Sequence, residues 1–346
     1  MKTIRNSKLQ INLIGVLMIG LLTVTVVSGC KDDNISSSGL TPHEIVIPNG
    51  FPKMPIPEGN RPFAERIALG RKLYYDPILS NNGLSCSSCH FQKLGFTVNG
   101  QQGMPVLHHA NLGWKDKFMW DGRKQGSLED VMLFEVEEFF GTDISKLNKH
   151  PDYPDLFEKT YGVENITSQD VANALAQFFR VLISSDSKYD KVQRNEATFT
   201  ADEAKGFNIF NSEKGSCFHC HTPPFFADNQ LHNIGLDSVF DNPANQGYFT
   251  VNRDSSMLGA MRTANLRNVS LRKRFMHDGR FSTIEEVIDF YNSNVNRTAS
   301  LDPIMVKGSG STQLNLTPTE KTQLAAFLRT LTDSTFITNP AFSNPQ

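Results

Sequence analysis

Apolar residues at Val171, Leu175, Phe178, Phe179 and Leu182 recur three or four positions apart, which predicts a core helix over 171–183. Capping boxes mark further helix starts at Thr200-x-x-Glu203, Thr283-x-x-Glu286 and Thr317-Pro318-Thr319-Glu320. The last of these has proline at the first helical position, where its missing N–H costs nothing. Shorter helices are expected over 70–74 and 206–210 and after Ser127. Alternating strand patterns are scarce. The pattern predicts a mostly α fold with long loops.

One apolar run has a different character. Residues 11–27 follow a basic segment (Lys2, Arg5, Lys8) and end in Val27-Ser28-Gly29-Cys30. Residues 1–29 have the layout of a secretory signal, and the junction resembles a bacterial lipobox with Cys30 as the acylated first residue. The alternative is an uncleaved membrane helix. A polar tether over 30–50 is expected next; about twenty such residues span roughly 25 Å as a coil. Its Lys31-Asp32-Asp33 run resembles the surface-export signal of Bacteroidota lipoproteins, with a plain solvated linker as the other reading. The folded part is expected to be exported and lipid-anchored to the cell envelope, facing the periplasm or the cell surface.

Composition narrows the function. The chain has 346 residues, 39% hydrophobic and 20% charged, with 25 Phe, so a packed core is expected. Its formal charge of −2 disfavours nucleic acid as a partner.

Five cysteines occur. Cys86-Ser87-Ser88-Cys89-His90 and Cys217-Phe218-His219-Cys220-His221 are both C-x-x-C-H, the attachment motif of c-type haem. Two thiols three positions apart reach the two vinyl groups of one porphyrin, and the adjacent imidazole becomes the proximal iron ligand. A redox C-x-x-C pair is the alternative, but it has no need of the following histidine twice. Two covalently bound haem c groups are expected. With Cys30 acylated, no cysteine is left over.

The surroundings of the two motifs repeat. Phe118-Met119-Trp120-Asp121-Gly122-Arg123 is echoed by Phe275-Met276-His277-Asp278-Gly279-Arg280. Each is followed by a helical segment, and each C-x-x-C-H is preceded by one. Two diverged copies of a haem-binding domain account for this.

In order, Leu69-Gly70-Arg71-Lys72-Leu73-Tyr74-Tyr75-Asp76, the motif 86–90, and the segments 119–123, 266–269, 277–279 and 324–333 resemble the bacterial di-haem cytochrome c peroxidase family, which includes MauG-type enzymes. The resemblance covers about residues 50–335. It implies two cytochrome-c-like haem domains related by internal repeat. An N-terminal, peroxide-reacting domain over 51–199 would be completed by a C-terminal helix over 317–335, and an electron-transfer domain would occupy 200–316. Carried over by position, His90 and His221 are the proximal ligands, and Trp120 is the indole between the haems; a core aromatic is the other reading of Trp120. Fourteen residues after His277 stands Tyr291, where MauG-like members have Tyr and ordinary peroxidases Met. A phenolate lowers the iron potential, whereas a thioether raises it. Tyr291 is therefore the candidate sixth ligand, with Met276, or no ligand beside a packed Tyr291, as the alternatives.

The chain departs from the family at several points. The family's distal Glu is assisted by a Gln, and here the corresponding run is Leu128-Glu129-Asp130-Val131. Candidate acid/base residues are Glu135, from the internal repeat, and Glu138, from the pattern before Phe139-Phe140-Gly141. If helical, the two share a face; a solvated acidic cluster with Glu137 is the other reading. His108 and His109 are candidate distal ligands, with packing or surface roles as alternatives. Asn111 matches the family's calcium-ligand Asn, but Arg272-Lys273-Arg274 would stand beside the ion. Coulomb repulsion then argues against calcium.

Three functions follow. The first is a peroxidase reducing hydrogen peroxide with electrons from a small cytochrome or cupredoxin, passed from the His221 haem through Trp120 to the His90 haem. The second is a MauG-like maturase oxidising Trp or Tyr of a partner protein. The third is a non-catalytic electron-transfer cytochrome. The resemblance also implies a homodimer, and membrane contact only through the lipid.

Overall fold

The computed structural model describes residues 39–98 and 105–345. The signal segment, Cys30 and the start of the tether lie outside them. The tether expected as far as residue 50 ends earlier. Thr41 donates from its backbone N–H and its hydroxyl to the Glu65 carboxylate, both at 2.9 Å. Its carbonyl accepts the Ala64 N–H. This pins the chain to the start of the first long helix. No helix among the described residues is long and apolar enough to cross a membrane.

The fold is mostly helical. Helix α1 (Ala64–Tyr75) leads to the first C-x-x-C-H, and α2 (Leu128–Phe134) and α3 (Ser168–Val181) follow it. Helix α4 (Ala201–Phe210) leads to the second motif, followed by α5 (Ile284–Ser293), α6 (Pro318–Arg329) and α7 (Ser334–Thr338). The capping boxes expected at Thr200, Thr283 and Thr317 form, and others appear at Ser127, Thr167 and Ser187. The helix expected over 171–183 begins at Ser168, because Thr167 caps it through the Asp170 N–H.

Two hydrophobic clusters form around two helix crossings. In the first, α1 crosses α3, burying Leu69, Leu73, Tyr74, Val171, Leu175 and Phe178. Gly70 permits this approach, since a Cβ there would lie 1.9 Å from the Ala174 carbonyl oxygen. In the second, α4 crosses α6, and Gly206 stands in the same relation, 1.9 Å from the Gln323 carbonyl oxygen. Phe210, Leu324, Phe327 and Leu331 fill that core, with Ile284 and Ile288 from α5. Each such side chain contributes about 1.5–3 kcal/mol on burial.

The segment 317–335, expected to complete the first half, touches it where the Thr330 carbonyl accepts the Tyr189 N–H at 3.1 Å and where Asp333 accepts from Ser184, Ser185 and Asp186, but its apolar residues face elsewhere. Leu324 and Phe327 pack α6 into the second cluster. Only residues beyond it, Phe336 of α7 and Phe342, enter the first.

Strands are confined to two short antiparallel pairs among the described residues. Strands β1 (Lys117–Phe118) and β2 (Lys124–Gln125) pair Lys117 with Gln125, so Trp120 lies in the turn between them. Strands β3 (Leu231–His232) and β4 (Met261–Arg262) pair Leu231 with Arg262. The Arg262 N–H donates to the Trp120 carbonyl at 2.7 Å, which joins the two pairs.

Left-handed backbone recurs in matching order along the chain. Phe96 and Phe226 (φ 62° and 52°), Asn111 and Asn268 (62° and 61°), and Met119 and Met276 (63° and 65°) occupy equivalent places after the two motifs. Asparagine tolerates this region best of the three types. Both asparagines meet at Ser184: Asn111 exchanges two hydrogen bonds with its backbone, and Asn268 donates to its hydroxyl at 3.1 Å.

Candidate haem sites

Cys86 opens a four-residue helix, Cys86–Cys89, capped by a reciprocal Ser85–Ser88 box. His90 follows, and its Nδ1 lies 2.8 Å from the Phe96 carbonyl oxygen. That carbonyl can only accept, so Nδ1 carries the proton and Nε2 keeps its lone pair for a metal. The left-handed turn at Phe96 returns the carbonyl to the ring. His221 is held identically, with Nδ1 2.8 Å from the carbonyl oxygen of Phe226. Burial pushes His90 down to about 4 and lowers His221 as well, so both imidazoles are neutral, as ligation requires.

The second site opens onto a cavity of about 220 Å³ whose wall includes Cys217, Cys220, His221, Trp120, Met276 and Tyr291. Burial, with the two thiols nearby, pushes the Tyr291 phenol well up. Its hydroxyl has no hydrogen-bond partner among the described residues. A buried phenol with no partner among the described residues, two thiols outside any disulfide and an imidazole presenting Nε2 fit a covalently held haem. At the first site the free thiols of Cys86 and Cys89 and the His90 tautomer are those a covalently held haem requires. Burial and the Glu135 carboxyl push the Cys86 thiol well up.

The two acid/base candidates separate. Residues Glu135–Phe139 form a π-helical turn, closed by the Phe140 N–H on the Glu135 carbonyl at 2.8 Å. The wider turn means that residues three apart no longer share a face. Glu138 is therefore exposed and pairs with Lys124 at 3.2 Å. Glu135 turns inward; its carboxyl has no hydrogen-bond partner among the described residues, and burial pushes it up to about 7. Glu129 is spent on structure, gripping Arg180 at 2.6 Å and Asn60 at 2.6 Å.

The two histidine candidates sit in different surroundings. The His109 ring stacks on His90, with centroids 3.4 Å apart and planes 20° apart, and its Nδ1 lies 3.1 Å from the Tyr74 hydroxyl. His108 is buried with both nitrogens engaged: Nε2 lies 2.9 Å from the Asn265 carbonyl, and Nδ1 accepts the Ala110 N–H at 3.2 Å. Asn111 likewise has its side-chain oxygen on the Ser184 N–H at 2.9 Å, so that oxygen is not free for calcium.

Trp120 is fixed at the cavity wall. Its indole N–H donates to the Pro105 carbonyl at 2.9 Å, and the Arg272 guanidinium lies 5.9 Å from the ring centroid. Sequence reasoning overlooked His232, whose two nitrogens meet Asp228 at 2.8 Å and Asp302 at 2.5 Å. Asp228 and the adjacent Cys220 sulfur, with Asp302, push it up to about 11. The Asp228/His232 spacing of four was the one local signal; Asp302 comes from a distant loop. Sequence reasoning also passed over Arg262, which lines the cavity with Arg272.

A family model described as di-haem cytochrome c peroxidase matches residues 64–198. Methylamine utilization protein MauG of Methylorubrum extorquens is 30% identical, over 80% of this chain and 81% of its own length. The cytochrome c551 peroxidase of Nitrosomonas europaea is 28% identical, over 90% and 91%. Among solved structures, a MauG-like protein associated with microbial copper homeostasis superposes with a TM-score of 0.77 at 30% identity, covering 86% of this chain and 98% of that one. The diheme peroxidase BthA of Burkholderia thailandensis shares the fold, with a TM-score of 0.63 at 20% identity and coverage of 86% and 96%.

Proposed function

The chain belongs to the di-haem cytochrome c peroxidase family, and from that premise we propose that it reduces hydrogen peroxide to water with electrons from a small redox protein. Each molecule of peroxide takes two electrons and two protons and leaves as two waters. The haems, when bound at Cys86/Cys89 and Cys217/Cys220, supply iron that exchanges electrons one at a time. His90 and His221 would hold that iron from Nε2, each ring oriented by its Nδ1 hydrogen bond.

The observation that carries this reading is Glu135: an inward carboxyl, unpartnered among the described residues, beside Cys86 and pushed up to about 7. As a carboxylate it takes the proton from the near oxygen of peroxide, and as the acid it returns it to the far oxygen, which departs as water. A pKa near the working pH suits a group that must do both. Trp120, held on Pro105, is the relay between the two sites. His109 and Tyr74 keep the His90 ring in place.

The chain is further read as two cytochrome-c-like haem domains arising by duplication, supported by the paired glycine crossings and left-handed residues. Residues 51–199 carry the peroxide-reacting site and 200–316 the electron-entry site. Cys30 carries the lipid that ties the exported protein to the envelope, where a cytochrome or cupredoxin reaches it.

A second reading rests on Tyr291. A buried phenol free of other partners, presented as a ligand at the second site, would lower that iron's potential and favour MauG-like oxidation of Trp or Tyr in a partner protein. Stopped-flow absorption of the fully ferric and the one-electron-reduced protein mixed with hydrogen peroxide separates the readings. A fast reaction of the half-reduced form alone supports the reductively activated peroxidase. A fast, long-lived spectral change in the fully ferric form supports the maturase. No reaction of either form leaves an electron-transfer cytochrome.

A further inference from the structure

Three cations are buried within electrostatic reach of His108: Lys115 and Arg262 at 5% exposure and Arg272 at 7%. Lys115 has carboxylates within electrostatic reach, Asp228 and Asp116. The two arginines have none. Arg262 spends its Nε on the Met119 carbonyl at 3.2 Å, and its two terminal nitrogens have no partner among the described residues. Arg272 donates from Nε to the Arg274 carbonyl at 3.3 Å and from one terminal nitrogen to the Val106 carbonyl at 3.2 Å. Its other terminal nitrogen, Nη1, is buried with no partner. Both side chains line the cavity of Cys217, Cys220 and His221.

A guanidinium removed from water without a counter-charge is strongly destabilising, and two on one wall repel each other as well. Burial alone pushes both down to about 10. Such a pair is stable only when the cavity holds an anion whose shape suits the guanidinium fork, and a carboxylate is that anion. A haem attached at Cys217 and Cys220 brings two propionates and no other anionic group.

We propose that Arg272 and Arg262 form the carboxylate-binding edge of the second haem site, clamping a propionate beside Trp120, and that the Arg272 guanidinium is a built-in cation that makes a divalent ion there unnecessary. This rests on haem being bound at the second motif, which alkaline pyridine haemochrome analysis of each protein reads separately as haems per chain. Arg272 touches the carbonyl oxygens of Arg274 and Val106, so its charge already occupies the space between the two loops that flank Trp120. A side chain thus stands where the family resemblance would put a calcium ion.

The test compares the holoprotein with Arg272→Met and Arg272→Lys. Resonance Raman spectra read the propionate bending bands, and a spectroelectrochemical titration reads both midpoint potentials. Loss of a buried positive charge favours the ferric state. Arg272→Met is therefore expected to shift one propionate band and lower one midpoint potential, and Arg272→Lys to recover the potential but not the band. Unchanged bands and potentials in Arg272→Met would overturn the assignment. A measurement on the unsubstituted protein stands independently of how the variants fold: elemental analysis should find no stoichiometric calcium, and chelation should leave the haem spectrum intact. One calcium per chain whose removal alters that spectrum would overturn it too.

Discussion

The two C-x-x-C-H sites share one scaffold and differ in what surrounds it. Both follow a helix whose central glycine lets another helix cross at backbone contact, and both fix the proximal imidazole on a carbonyl from a left-handed phenylalanine. Around His90 the neighbours are aromatic and close, His109 stacked and Tyr74 buried, with one inward carboxyl, Glu135. Around His221 lie a roomy cavity, an unpartnered phenol, a thioether and two buried arginines. On the proposed reading, a duplicated scaffold would hold a proton-handling group at one site and ligands and fixed charge at the other. Where the halves agree they would bind haem, and where they differ they would divide the work as proposed.

The largest effect that sharpens this comparison is loss of one haem at a time. Replacing Cys217 and Cys220 with Ala removes the second haem, and replacing Cys86 and Cys89 removes the first; haem counts per chain should fall from two to one in each case. Equal residual peroxide reactivity in the two single-haem proteins would erase the distinction between the sites.

Glu135→Gln comes next. Positioned general acid–base catalysis is worth about 10²–10⁴-fold, so the peroxide reaction should slow by roughly 10²-fold or more. The pH profile carries the sign. Glu135 is pushed up to about 7, and proton abstraction needs its carboxylate. The rate should rise as pH passes through about 7 and lose that rise in Glu135→Gln. Glu138→Gln, on the exposed Lys124 pair, should leave both unchanged.

Smaller effects test the shared scaffold. A Cβ at Gly70 or Gly206 would sit 1.9 Å from a carbonyl oxygen, so the crossing helices must part. Overpacking of this kind costs about 1–3 kcal/mol, and Gly70→Ala and Gly206→Ala should both lower the midpoint of thermal unfolding. His109→Phe, which keeps a ring against His90, should leave the ferric spectrum and peroxide rate nearly unchanged; a change of spin state would restore His109 as an iron ligand.

What the sequence made legible follows from how local each signal is. The thiols and imidazoles of both motifs, the three threonine caps and the repeat about Trp120 and His277 are encoded within a few consecutive residues. Glu135 and Glu138 could not be told apart, because a π-helical turn depends on packing and changes which residues share a face. The helix from Pro318 joined the second cluster because Gly206 admits it, a fact of distant backbone contact. His232 escaped notice since Asp302 reaches it across 70 positions. Arg272 read as an obstacle to calcium, and only its placement at the cavity wall shows a cation with a use.

The proposed division of work makes the His90 site open to small ligands and has Tyr291 close the His221 site. Cyanide titration of the fully ferric protein, followed by electron paramagnetic resonance, tests it most directly when run beside the variant lacking Cys217 and Cys220. One haem signal should convert, the same one that survives in the variant, while the other persists unaltered. Conversion of both signals together, or of only the signal missing from the variant, would contradict the division of work between the sites.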